Sequence, residues 1–154
     1  MQTIMKLTSS MFEHNHSMPS KYTCDGENMS PPLIISDVPE NTKSLVLIMD
    51  DPDVPKNLRA DGMWDHWIVW NISPQTKEIA EGQEPEGVHG LGTANNLNYH
   101  GPCPPDREHR YFFRLFALDT ILNLPEKRMK AEVEQAMEGH VIDKAELIGL
   151  YVRQ

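Results

Sequence analysis

The stretch Ser44–Asp50, SLVLIMD, narrows the possible folds more than any other part of the chain. Leu45, Val46, Leu47, Ile48 and Met49 follow one another without a polar residue, so neither face of this segment can be left in water. Such a run is expected of a strand covered by other layers on both sides. Further strand signals surround it. Leu33–Ser36 is fenced by Pro31-Pro32 and by Pro39, while His66–Ser73 is rich in β-branched and aromatic residues and stops at Pro74. Tyr111–Leu118 and Glu146–Arg153 complete the set. One segment has helical periodicity: Pro125 and Glu126 suit a first turn, Met129, Val133 and Met137 recur every fourth residue, and Gly139 suits the position after the end. Twelve prolines and nine glycines punctuate the rest. The expectation is a mostly β chain: a two-sheet antiparallel β-sandwich with one or two peripheral helices, folded as a single domain over residues 1–154.

A formal net charge of −9 speaks against binding to nucleic acid or to an anionic membrane surface. No segment approaches the roughly 18–20 apolar residues that span a bilayer. The first residues, MQTIMKLTSSMF, hold no continuous apolar core of a secretory signal, and Met5 is an alternative candidate start. The expected location is therefore cytoplasmic. There Cys24 and Cys103, far apart in sequence, are expected as free thiols, with a disulfide between them the less favoured alternative.

Three polar clusters lie next to strand ends. Asp50-Asp51-Pro52-Asp53-Val54-Pro55 follows the apolar run, Trp64-Asp65-His66-Trp67 opens the next strand, and Gly101-Pro-Cys-Pro-Pro105 precedes His109-Arg110-Tyr111. If these strands are neighbours, Asp51, His66, His109 and Tyr111 meet at one end of a sheet. Imidazole and phenol donors oriented by a carboxylate suit a phosphate or carboxylate ligand, with backbone N–H groups of the proline turn as further donors. Alternation along the strand sends Arg110 to the other face, towards an ion pair with Asp51 or Asp53. Binding through charged histidines is expected to strengthen as pH falls through about 6–7. At least one cis peptide is expected, at Pro55 or within Cys103-Pro104-Pro105. His14, His16, His89, His100 and His140 are read as ordinary polar residues, and the methionine stripe as core. A divalent metal on Asp51, Asp53, Asp65, His66 and His109 is a weaker rival, because no HExxH or CxxC spacing supports it. No GxSxG motif marks a nucleophile, and no cofactor is implied.

Taken together, "DDPDVP", "WDHWIVWNI" and "GPCPP…HRYFFRLFALD" resemble the phosphatidylethanolamine-binding proteins, also called Raf kinase inhibitor proteins. "YTCDGENMSPPL" and "MEGHVIDKAELIGLYVR" are similar to their bacterial branch, and the likeness runs in order from about Leu7 to Arg153. Cys103 and the PPDRE segment stand where eukaryotic members have a shorter loop. The resemblance implies two packed sheets with a small anion-binding cavity at one end. Its pattern positions fall on Asp51, Asp53, Pro55, Trp64, His66, Gly101, Pro104, Pro105, His109 and Tyr111. Of these Asp51, His66, Pro104, His109 and Tyr111, with Cys103 beside them, are expected to contact ligand, and Asp53, Pro55, Trp64, Gly101 and Pro105 to shape the cavity. The resemblance implies a regulatory binding protein without cofactor or reaction. Its partners would be small anions, phosphorylated head groups or phospho-residues, with a kinase or other protein as a further partner and a homodimer as the assembly. The alternative function is a metal-assisted or acid–base phosphoester hydrolase built on the same Asp/His cluster.

Overall fold

Ser44–Asp51 is the hub of the computed structural model, and all eight of its residues are buried. Residues 4–154 are described, so the segment preceding the candidate start at Met5 falls almost wholly outside them. In chain order the strands are β1 (Lys6–Thr8), β2 (His16–Ser17), β3 (Leu33–Ser36), β4 (Ser44–Asp51), β5 (Trp64–Ile72), β6 (Glu78–Ile79), β7 (Val88–His89), β8 (His109–Leu118) and β9 (Val141–Tyr151); helix α1 spans Lys130–Met137. Among the described residues they form one six-stranded sheet, ordered β2-β9-β8-β4-β5-β7, and one three-stranded sheet, ordered β1-β3-β6. Pairing is antiparallel except between β2 and β9, which run parallel, so the larger sheet is mixed.

Alternation along β4 explains its continuous apolar sequence. Leu45, Leu47 and Met49 face Leu7, Leu33, Ile35 and Ile79 of the smaller sheet, together with Trp67, Phe113 and Leu115. Val46 and Ile48 face the opposite way, against Ile68, Trp70, Leu118 and Leu122, and α1 closes that side with Val133 and Met137. The two aspartates at the end of β4 follow the same alternation. Asp50 points to the helix side and meets Lys130 of α1 at 3.2 Å, and Lys130 also reaches Asp65 at 2.8 Å. Asp51 points to the inter-sheet side.

Three sequence expectations are corrected here. The helix begins at Lys130 rather than near Pro125, because Lys127 adopts φ +71° and its N–H donates to the His89 carbonyl at the end of β7. Residues 127–128 thus extend the pairing of β7 instead of coiling, and Met129 is exposed while Val133 and Met137 are buried. Gly139, at φ +80°, does terminate the helix. Second, there is no cis peptide bond among the described residues. The loop after β4 reverses through hydrogen bonds instead, with the Pro55 carbonyl accepting from Leu58 and Arg59, and Gly62 at φ +67°. Third, Cys24 and Cys103 form a disulfide, their Cα atoms 5.4 Å apart across a separation of 79 residues. Gly101 makes that approach possible: a side chain there would collide with the Tyr22 carbonyl and the Asn28 side chain. The bond removes free thiols as a reason for placing the chain in a reducing compartment. No helix among the described residues is long and apolar enough to cross a membrane.

Candidate functional site

The antiparallel pairing of β4 with both β8 and β5 brings the C-terminal end of β4 between the N-terminal ends of its two neighbours. Asp51 is therefore flanked by Trp64 and His66 on one side and by His109 and Tyr111 on the other. His66 reaches this face through an irregularity. Met49 pairs with Trp67 but Asp50 pairs with Asp65, so His66 is the extra residue of a β-bulge. Without the bulge, His66 would alternate away from Trp67 and point towards α1; the bulge turns it inward. On β8 alternation alone suffices, placing His109 and Tyr111 inward and Arg110 outward.

These strand ends and the loop 100–105 enclose a cavity of about 300 Å³. Its polar wall comprises Asp51, His66, His100, His109 and Tyr111. Apolar surface comes from Val54, Leu58, Trp64, Pro104 and Pro105, with Gly101 and Cys103 at the rim. Every residue expected to contact ligand thus borders one cavity, as do the expected shaping residues Trp64, Gly101 and Pro105. Asp53 and Pro55 do not border it. Asp53 grips Arg110 through two side-chain contacts of 2.9 Å and a third to the Arg110 backbone N–H, and that guanidinium holds its carboxyl below the usual range. Pro55 acts through its carbonyl within the loop. Asp65 faces α1 rather than the cavity, away from the other candidate metal ligands.

His109 is fully buried and both its nitrogens are engaged: Nδ1 lies 2.6 Å from Asp51 and Nε2 lies 2.7 Å from Asp106. Two such contacts need two protons among one imidazole and two carboxyls. Either distribution, imidazolium between two carboxylates or neutral imidazole beside one carboxylic acid, leaves the trio with one net negative charge. Burial pushes the Asp51 carboxyl up, opposed by the His109 bond and by the Asp53 N–H, which donates to it at 2.8 Å. The Asp106 carboxyl is held low, chiefly by its bond to His109.

His66 differs from the expectation of a charged donor. Its Nδ1 lies 2.6 Å from the His100 carbonyl, which can only accept, so Nδ1 carries the proton. Burial drives the ring's pKa down to about 3, which leaves it neutral near pH 7. Its rings stack against His100 and meet Tyr111 edge-on at 5.4 Å between centroids. The Tyr111 hydroxyl is buried without a hydrogen-bond partner. It lies outside hydrogen-bond geometry to Asp51, although burial first and that carboxylate second raise its pKa. Sequence reasoning passed over His100, Leu58 and Asp106. Asp106 had a local signal, a carboxylate three residues before His109; His100 had only its position directly before the GPCPP turn.

A β-sandwich with a cavity at one end, walled by strand-end side chains and one proline-rich loop, defines a small-ligand-binding class of protein. The family model described as phosphatidylethanolamine-binding protein matches residues 8–152, and the chain belongs to that family. A UPF0098 protein of Chlamydia trachomatis is 50% identical over 147 residues, covering 96% of this chain and 98% of that protein. The crystal structure of a phosphatidylethanolamine-binding protein homolog from Chlamydia trachomatis superimposes with a TM-score of 0.95 at 49% identity, covering 98% of this chain and 99% of the other. Escherichia coli YbcL, described as a member of the mammalian PEBP family, superimposes with a TM-score of 0.87 at 27% identity, covering 99% and 100% of the two chains.

Proposed function

We propose that this chain is a non-enzymatic binding protein whose cavity captures the phosphate or carboxylate group of a small molecule, a head group or a phospho-residue on a partner such as a kinase. The observation that carries the reading is the Tyr111 hydroxyl, a buried donor that makes no hydrogen bond among the described residues, although the Asp51 carboxylate lies near it. Buried polar groups are rarely left unpaired, so such a group invites a ligand acceptor. The apolar wall of Val54, Leu58 and Trp64 suits the organic part of that ligand. Family membership supports ligand binding in general.

The rival hydrolase reading is less well supported. Of the two histidines that reading uses, His109 has no free nitrogen and His66 has one, which leaves the pair a single imidazole nitrogen for proton transfer. The Cys103 sulfur is held in the disulfide. That rival requires either stoichiometric metal in the purified protein or phosphoester turnover lost in His66→Ala. Titration with inorganic phosphate, phosphorylethanolamine and phosphotyrosine, followed by NMR, tests the binding reading. Shifts are expected at His66, His100, Trp64 and Tyr111, and their absence at millimolar ligand contradicts it.

A further inference from the structure

We propose that the cavity selects oxyacids that still carry a proton, because it presents to them an acceptor, His66 Nε2, beside the Tyr111 hydroxyl donor. The inference rests on the oxyacid reading of the cavity and deepens it. The His100 carbonyl fixes the tautomer of His66, so the proton sits on Nδ1 and the lone pair on Nε2. No protein donor meets that nitrogen among the described residues, and its ring lines the cavity. An oxyanion without a proton would place lone pair against lone pair there. A singly protonated phosphate presents both a P–OH for Nε2 and a P–O⁻ for the tyrosine.

The surrounding charges act in the same direction. His66 faces Asp51 from β4, His109 and Tyr111 from β8, and His100 from the preceding loop, with Asp106 behind His109. The Asp51–His109–Asp106 trio has one net negative charge in either proton distribution, and both nitrogens of its imidazole are already spent on carboxyls. Among the described residues no lysine or arginine lines the cavity: Arg110 is turned outward onto Asp53. A dianion therefore finds no free cation and a lone pair at His66 Nε2, whereas a monoanion can give that nitrogen a proton and still accept from the tyrosine. Burial opposes charging of His66, so the ligand rather than the imidazole must bring the proton.

The test compares inorganic phosphate with sulfate, a tetrahedral anion that has no proton in the neutral range, on the wild-type protein. Phosphate is expected to bind roughly tenfold or more tightly than sulfate near pH 6, a difference of about 1.4 kcal/mol. Phosphate affinity is expected to fall about tenfold per pH unit above its own second pKa. Phosphorylethanolamine, whose second pKa lies near 6, should show the same fall at a lower midpoint. A common midpoint for both ligands would indicate titration of a protein group and overturn the inference. Equal binding of sulfate and phosphate would also overturn it, while leaving the oxyacid cavity standing. If neither anion binds at any pH, the cavity reading itself fails and the inference with it. His66→Asn keeps an N–H for the His100 carbonyl while its remaining acceptor, Oδ1, stops short of the Nε2 position, and should bring the phosphate-to-sulfate ratio towards one. Independently of that variant's folding, ¹⁵N spectra of wild-type His66 with phosphate bound should show a neutral ring protonated at Nδ1; an imidazolium there would contradict the proposal.

Discussion

Tyr111 and His66 separate binding from folding, because each presents to the cavity an atom that no protein group uses. Tyr111→Phe removes a hydroxyl with no partner to lose, so its unfolding midpoint should stay within about 0.5 kcal/mol of wild type. Phosphate affinity in the same variant should drop by about 1.5–3 kcal/mol, the usual range for a hydrogen bond to a charged group. Calorimetry on the two proteins checks both outcomes, and a stability loss equal to the affinity loss would show that the hydroxyl serves the fold. His66 also leaves a signature in stability against pH. Its pKa is about 3 when folded and about 6.5 when unfolded. The unfolded chain therefore binds the extra proton throughout that window. Stability from a neutral His66 is fully present above the unfolded value and is lost on acidification, at about 1.4 kcal/mol per pH unit. Asp51, raised by burial, works in the opposite direction where it titrates. Denaturant titrations of His66→Asn should thus show a shallower acid limb than wild type; parallel limbs would mean that His66 is charged in the folded protein.

The rim loop and helix α1 are fastened to the sheet by different chemistry, and each fastening predicts its own failure. Residues 101–105 are anchored by the Cys24–Cys103 bond, by the Cys24 N–H donating to the Pro102 carbonyl at 3.0 Å, and by the Gly101 N–H donating to Asn28 at 3.0 Å. Reduction or Cys103→Ser should cost about 2–4 kcal/mol, since a bridge across so long a loop restricts the unfolded chain strongly. Hydrogen exchange should quicken first across residues 101–108, and phosphate binding should weaken because Asp106 sits on that loop and supports His109. Unchanged exchange in the reduced protein would show that the rim holds without the bond. Helix α1 is tied down by Lys130 between Asp50 and Asp65. Lys130→Ala leaves the almost fully buried Asp50 paired with Arg114 alone and Asp65 without its cation, and should cost about 1–3 kcal/mol in urea unfolding. Lys130→Met should cost less than Lys130→Ala, because it keeps the aliphatic packing.

Across the whole molecule, legibility tracked the range over which each feature is determined. The burial of β4 was plain from five consecutive apolar residues, because covering both faces is a property of the segment itself. His109 and Tyr111 were placed correctly since strand alternation is a local rule. His66 arrived at the same cavity by a bulge, which depends on the register between two strands and left no mark in the local pattern. Its tautomer depends on a carbonyl 34 residues away, so a charged donor was expected where a neutral acceptor stands. The disulfide was disfavoured because a reducing compartment was expected, and the approach that Gly101 and the loop around Tyr22 create together leaves no local mark in the sequence. The start of α1 was misjudged because Pro125 suits a helix, while pairing of residues 127–128 with the β7 region overrides that preference. What unites these features is one cavity at the end of the sandwich, for which a proton-bearing oxyacid is the proposed ligand. Its most direct test is a crystal structure of the protein grown with phosphate near pH 6. Density for one tetrahedral ion is predicted within about 3 Å of both Tyr111 Oη and His66 Nε2. Phosphate bound elsewhere, with only water against Tyr111, would contradict the account.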